Sequence, residues 1–270
     1  MLRRFVLIIL CFGLGSGMAR AAPAERAVDV ALVLAVDVSS SVDENRFRLQ
    51  QSGYAAAFRS PLVQAALLSG PEHAIAVAYV QWAGADNQHL VVDWTLVDGE
   101  AASQALADRI AASDRFGEGS TSVSGAITFA RQLFETSPYP AEHRVIDVSG
   151  DGSNNSGRMA HLARDEAVAT GITINGLPIL AVEPQLDLYY RDNVIGGPNA
   201  FLVPATSFET FAAAIVNKLV REVAASPEVL PGGPPGEPLR GVACLRPADP
   251  PACSCAMLRT RASRPERPFC

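Results

Sequence analysis

Along this chain short, nearly unbroken apolar runs give way to longer stretches in which apolar residues recur at helical spacing. Residues 28–36 form the first run and read as a strand buried on both faces. Residues 43–58 follow as a helix, with Phe47, Tyr54 and Phe58 on one side. Residues 74–82, bounded by Pro71 and Gly84, read as a strand. Residues 89–95 alternate and end near Asp98-Gly99, which predicts an antiparallel or edge strand. Helices are expected over 100–112 and 123–134, a strand over 144–149, a helix over 158–169 and a strand over 172–177. A short helix or turn over 186–193 and a last strand over 200–203 lead to a closing helix over 207–223. In that helix Phe208, Phe211, Ile215 and Leu219 are in phase. Strands alternating with helices predict an α/β fold: a doubly wound, mostly parallel sheet with helices on both faces.

The two ends depart from this pattern. Arg3 and Arg4 precede an apolar run, Phe5 to Leu14, and Ala19-Arg20-Ala21 follows. This reads as a signal peptide over 1–21, cleaved near Ala21 or Ala22, in a run too short to span a bilayer. The expected location is exported, periplasmic or extracellular. Removing 1–21 leaves 19 basic against 28 acidic residues, a net charge of −9. An acidic surface argues against nucleic acid and anionic membranes as partners. The α/β pattern occupies 28–223. A Pro/Gly-rich linker follows over 224–242, and a short tail over 243–270 holds Cys244, Cys253, Cys255 and Cys270. An even cysteine count in an exported chain reads as disulfides. A Cys253–Cys255 bridge would be strained, which leaves Cys244 and Cys270 each joined to one of the central pair. A zinc site is the rival, although its usual paired C-x-x-C spacing is missing.

The chemistry gathers where predicted strands end. Asp37-Val38-Ser39-Ser40-Ser41 follows the first strand and sets a carboxylate and two hydroxyls at alternate positions. Gly119-Ser120-Thr121 stands directly before a predicted helix, and Ser149-Gly150-Asp151-Gly152 directly after a predicted strand. In a doubly wound sheet such loops can converge at the switch point. Hard oxygen ligands, few of them charged, suit a divalent cation that retains an open position. Each piece also has an ordinary reading. Ser41 with Glu44 fits a capping box, Gly119-Ser120-Thr121 fits a helix cap, and Asp151-Gly152 fits a turn.

Taken together and in order, these residues resemble the metal-ion-dependent adhesion site of von Willebrand factor type A domains. The family pattern is Asp-x-Ser-x-Ser, a Thr from a second loop and an Asp from a third. Asp37, Ser39, Ser41, Thr121 and Asp151 match it, and residues 28–223 have the family's length and element order. Residues 147–155 (DVSGDGSNN) are similar to those of a group of exported bacterial proteins within that family. The resemblance implies a type A, Rossmann-like fold and a bound Mg²⁺ or Mn²⁺ held by those five residues. It also implies a protein or peptide partner whose Asp or Glu completes the metal's coordination. Two carboxylates roughly cancel the ion's charge and leave it electrophilic toward such a ligand.

Asp147 lies among Val145, Ile146 and Val148, where an unpaired carboxylate is costly. It reads either as a buried Asp satisfied by a neighbouring loop or Arg144, or as an acceptor that orients Ser39, Ser41 or their loop. Alternation puts Val145, Asp147 and Ser149 on one face. Asn154 and Asn155 read as partner-binding or as ordinary turn residues. His73 and His143 fall at strand starts, far from the site, and only His161 could approach it. The expectation is a binding module and not an enzyme. The alternative is a metal-assisted hydrolase at the same site, with His161, Asp147 or Glu118 as acid or base.

Overall fold

The computed structural model describes residues 26–224. The signal peptide, nearly all of the linker, and the cysteine tail expected from the sequence lie outside the described residues.

The first apolar run becomes β1 (Val28–Asp37), the central strand of a five-stranded sheet. Helices α1 (Glu44–Arg59) and α2 (Pro61–Leu67) lead to β2 (Ile75–Trp82) beside it. The antiparallel β3 (Gln88–Val97) forms the outer edge next to β2. Helices α3 (Glu100–Ala111) and α4 (Val123–Leu133) carry the chain to β4 (Ala141–Gly150), on the other side of β1. Then come α5 (Ala160–Ala169), β5 (Ile172–Pro178), α6 (Leu186–Asn193) and α7 (Phe211–Ala224). The sheet order is β3-β2-β1-β4-β5, parallel except at β3.

Alternation along β1 feeds two cores. Val30, Leu32, Leu34 and Val36 pack on one face against Phe47, Tyr54 and Phe58 of α1 and Phe211, Ile215 and Leu219 of α7. Val33 and Ala35 pack on the other, against Val123 and Ile127 of α4, Ala163 of α5 and Tyr190 of α6. A strand covered on both sides has no solvent face, so it carries no polar alternation. Trp82 is buried in the second core, and Trp94 packs on Phe134 with its indole N–H donating to the carbonyl of Leu133.

The sequence pattern anticipates all five strands and one more, over 200–203, that does not form. Residues 200–203 make isolated bridges to Gly176, and Ala205 to Ile179, without forming a ladder. Pro178 lacks the N–H that would donate between the bonds given by Gly176 and Leu180. The closing helix starts at Phe211, four residues later than the periodicity predicts, because Thr210 Oγ1 accepts from the N–H of Ser207 and donates to its carbonyl. Such local bonds compete with helix formation. The short α2, opened by Pro61, has no counterpart in the sequence reading.

The chain turns to opposite sides of β1, toward β2 first and β4 later. The carboxyl ends of β1 and β4 therefore flank a switch point, the place where open α/β sheets form crevices.

Candidate metal centre

Asp37 is the last residue of β1 and is fully buried. Its Oδ1 accepts from the N–H of Ser39 at 2.7 Å, which folds the chain into a turn and aims the next hydroxyls inward. Helix α1 does not use these hydroxyls. Its cap is Asp43, whose carboxylate accepts from the N–H of Arg46 at 2.8 Å. Ser41 is thus released from the capping role and donates to Asp151 Oδ1 at 2.5 Å.

Thr121 is likewise not a cap. Ser122 caps α4 by accepting from the N–H of Gly125 at 3.1 Å. Thr121 Oγ1 instead donates to Ser39 Oγ at 3.3 Å, and Ser39 Oγ lies 3.2 Å from Ser41 Oγ. Two bonds join the first two loops: the N–H of Ser40 donates to the carbonyl of Gly119, and the N–H of Gly119 donates to Ser40 Oγ, both at 2.9 Å. Gly119 holds φ +112°, where a side chain would be strained.

The third loop follows β4. The N–H of Asp151 points at Asp37 Oδ2, 3.4 Å away. Gly150 permits this approach, since a Cβ there would fall 2.8 Å from Asp37 Oδ2 and 2.9 Å from Tyr190 OH. Asp37, Ser39, Ser41, Thr121 and Asp151 therefore form one continuous cluster. All are buried except Ser41, which is half-buried.

The cluster is electrostatically frustrated. Burial, reinforced by the Asp151 carboxylate, pushes the Asp37 carboxyl from 3.8 up to about 7. Asp151 is also raised, chiefly by burial, against the lowering effects of the Ser41 hydroxyl and Arg46. Asp151 Oδ2 is buried and has no hydrogen-bond partner, and Arg46 Nη1 stands 3.7 Å from it. An orphaned carboxylate oxygen beside three hydroxyls and a second carboxylate fits a hard divalent cation such as Mg²⁺ or Mn²⁺. No group of three His, Cys, Asp or Glu side chains suited to a metal occurs among the described residues. The donor set here is built on hydroxyls, with two carboxylates only.

Two sequence readings need correction. Asp147 neither meets Arg144 nor orients the first loop. Lys218 Nζ of α7 lies 2.6 Å from its Oδ1, within a buried group completed by Glu222 and Asn175. Arg144 donates to the carbonyl of Thr170 instead. Asn154 and Asn155 are clamps: their side-chain carbonyls accept from the N–H groups of Ser124 and Thr121, each at 2.9 Å. They bind the third loop to the second. His161 lines a groove with Tyr189 and Asn193 that borders the third loop at Asn154 and Asn155 and includes none of the five cluster residues.

Four neighbours escaped the sequence reading. Arg46 leans over the cluster from α1, Arg115 donates to the carbonyl of Val38 at 2.8 Å, and Tyr190 OH is buried without a partner. Glu183, beyond β5, accepts from Ser153 N–H at 3.0 Å and Ser153 Oγ at 3.1 Å. Tyr190 had a signal, since it falls on the buried side of a short helix beside the switch point. Glu183 sits in a loop with no periodicity.

This strand order and three-loop edge define the class: the α/β fold is that of the von Willebrand factor type A domains. Residues 27–227 match the family model described as "Protein of unknown function (DUF1194)", and the chain belongs to that family. Among solved structures it is similar to proximal thread matrix protein 1 from the mussel byssus. That match has 17% identity and TM-score 0.55, covering 73% of this chain and 47% of that one. A second structure of the mussel protein, described as having a zinc-occupied MIDAS motif, matches at 17% identity and TM-score 0.54, covering 73% and 46%. The pilus adhesin SpaC from Lactobacillus rhamnosus GG matches at 12% identity and TM-score 0.53, covering 73% and 31%. These likenesses concern the fold, and the chain spans less than half of either protein. A comparison with curated proteins gave no match.

Proposed function

We propose that this chain is an exported binding module that captures a carboxylate of a protein or peptide partner through a bound Mg²⁺ or Mn²⁺. The observation that carries the reading is the cluster itself. Three loops from separate parts of the chain bring Ser39, Ser41, Thr121, Asp37 and Asp151 into mutual contact, with one carboxylate oxygen unpartnered. The metal would supply a Lewis-acidic point for an external oxygen. The protein's part is to hold the hydroxyls inward, keep both carboxylates dry and fix the loops to one another. The mussel protein's zinc-occupied motif and the adhesin's name agree with this direction. The N-terminal Arg3-Arg4 segment and its apolar run support export. Among the described residues no helix is long and apolar enough to cross a membrane.

Capture stands ahead of hydrolysis because two of the three acid–base candidates are placed away from the cluster, and the third, Glu118, is exposed beside the second loop with no hydrogen bond to the cluster's side chains. Asp147 is paired with Lys218, and His161 lines a neighbouring groove that includes none of the five cluster residues. Titration of the purified protein with Mn²⁺, followed by calorimetry, tests the reading. One site is expected, lost in Asp37→Ala. Unchanged affinity in that variant refutes the ligand assignment.

A further inference from the structure

We infer that Arg46 is the specificity-determining residue of the metal site, favouring a charged carboxylate ligand at the expense of metal affinity. This rests on the metal-site reading above. Arg46 sits in the first turn of α1, where its N–H donates to the Asp43 cap. The side chain folds back over the first loop. Nη1 donates to the carbonyl of Ser41 at 2.6 Å, and the guanidinium carbon lies 5.3 Å from the centre of the Phe208 ring. Nε is 3.9 Å from Asp43 Oδ2. A backbone bond, an aromatic face and a carboxylate thus fix the guanidinium beside the cluster. Its side chain remains 34% exposed, whereas that of Asp151 is 0% exposed. The guanidinium is thus a partly exposed cation beside the buried Asp151 carboxylate.

The Nη1–Asp151 Oδ2 separation of 3.7 Å is too long for a hydrogen bond but close for charge attraction. Without metal, Arg46 is the nearest counter-charge to Asp151. With a divalent cation between the two carboxylates, Asp37 and Asp151 are neutralised, and the guanidinium keeps Asp43, 3.9 Å from its Nε, but loses its attraction to Asp151 and stands as a second positive charge beside the ion. Glu183 adds negative charge on the third-loop side of Asp151, where it accepts from the N–H and Oγ of Ser153, so it too draws a cation to the cluster. Metal and arginine therefore repel each other, while both attract an approaching anion. Guanidinium also presents a planar fork matched to carboxylate, which an ammonium does not. The substrate class of this lip is an anionic carboxylate, with one oxygen for the metal and the other for Arg46.

The test uses the full chain, Mn²⁺ and acetate. Free Mn²⁺ is counted by electron paramagnetic resonance, and acetate binding is read from relaxation of its methyl protons by protein-bound Mn²⁺. Arg46→Gln is expected to bind Mn²⁺ about 3–10-fold more tightly and acetate about 3–10-fold more weakly. Arg46→Lys is expected to return Mn²⁺ affinity to the wild-type value while acetate remains weakened. A merely structural role would weaken both or neither, and either result overturns the inference. If Arg46→Gln melts early, Arg46→Lys decides: wild-type acetate affinity in that variant overturns the fork. Absence of Mn²⁺ binding by the wild type overturns the metal reading and this inference with it. Mn²⁺ binding that is indifferent to Arg46→Gln overturns this inference alone.

Discussion

Asp37→Asn is expected to stabilise the metal-free protein while removing its metal site. The carboxyl of Asp37 is raised from 3.8 to about 7 by burial and by Asp151. Its folded-state value therefore lies above the unfolded one. The associated stability is complete below the unfolded value and is lost as pH rises through about 7. At pH 8 the folded chain holds an ionised carboxylate that it disfavours. At about 1.4 kcal/mol per pH unit the penalty is a few kcal/mol, and we take about 2–4 kcal/mol as the working range. Asparagine removes the charge, and its Oδ1 can still accept from the N–H of Ser39. For a domain of this size each kcal/mol is about 2–4 °C in Tm, so a rise of roughly 5–15 °C is expected at pH 8 in chelator. The gap should narrow as the pH is lowered toward 5, where the wild-type carboxyl is protonated in the folded state. Circular dichroism melts of both proteins, with chelator and with saturating Mg²⁺, provide the assay. Mg²⁺ should raise the Tm of the wild type and not that of the variant. Equal or lower stability of Asp37→Asn at pH 8 in chelator, or a gap indifferent to pH, would refute the argument from frustrated carboxylates.

Two other changes probe the surroundings. Lys218→Met strands the carboxylates of Asp147 and Glu222 in the core, and urea unfolding should show a loss of about 3–5 kcal/mol; a loss below about 1 kcal/mol would mean that the pair is not held as described. Gly150→Ala forces a Cβ to 2.8 Å from Asp37 Oδ2 and 2.9 Å from Tyr190 OH. It should cost about 1–3 kcal/mol and weaken Mn²⁺ binding, measured by melting and calorimetry, and a silent substitution would contradict the close packing of the β1 and β4 ends.

Much of the fold was legible because burial on both faces leaves a plain mark. A strand such as β1 has no polar alternation, and α7 shows a clean apolar stripe. The five cluster residues were legible because each stands at or just beyond the end of a strand, or just before a helix. Other features depended on where side chains go. Arg46 looks like any solvent-facing residue in a first helical turn until its guanidinium folds back onto Ser41. Lys218 and Glu222 did leave a signal. They fall in phase with Phe211, Ile215 and Leu219, on the stripe that must be buried, and Asp147 breaks an apolar strand. Three charged residues out of place on two buried surfaces point to one another, and the sequence reading weighed only Asp147. Asn154 and Asn155 illustrate the opposite error. Their polarity suggested exposure to a partner, yet loops that leave a sheet carry unpaired backbone N–H groups, and these two amides satisfy two of them.

Strand β4 sets two buried aspartates in contrasting situations. Asp147 faces the α1 and α7 side, where Lys218 of the same chain supplies its counter-charge within a closed core. Asp151, just beyond the strand, has an oxygen with no hydrogen bond, and its nearest cation is an arginine held at 3.7 Å by other bonds. Between them Ser149 accepts a hydrogen bond from Tyr54 at 3.1 Å, so the strand segment is fixed from the same face throughout. A chain that brings a lysine to the buried Asp147 and Glu222 is able to bring one to Asp151 in the same way. It instead keeps Asp151 beside Asp37, where burial raises both, and surrounds them with neutral hydroxyls. That arrangement destabilises the fold by itself and is stabilising only when a cation from outside enters. On the proposed reading the cost of this frustration in the empty fold becomes selectivity for a divalent ion. The Arg46 guanidinium then restrains how tightly the ion is held, and leaves the lip positive for an acid group.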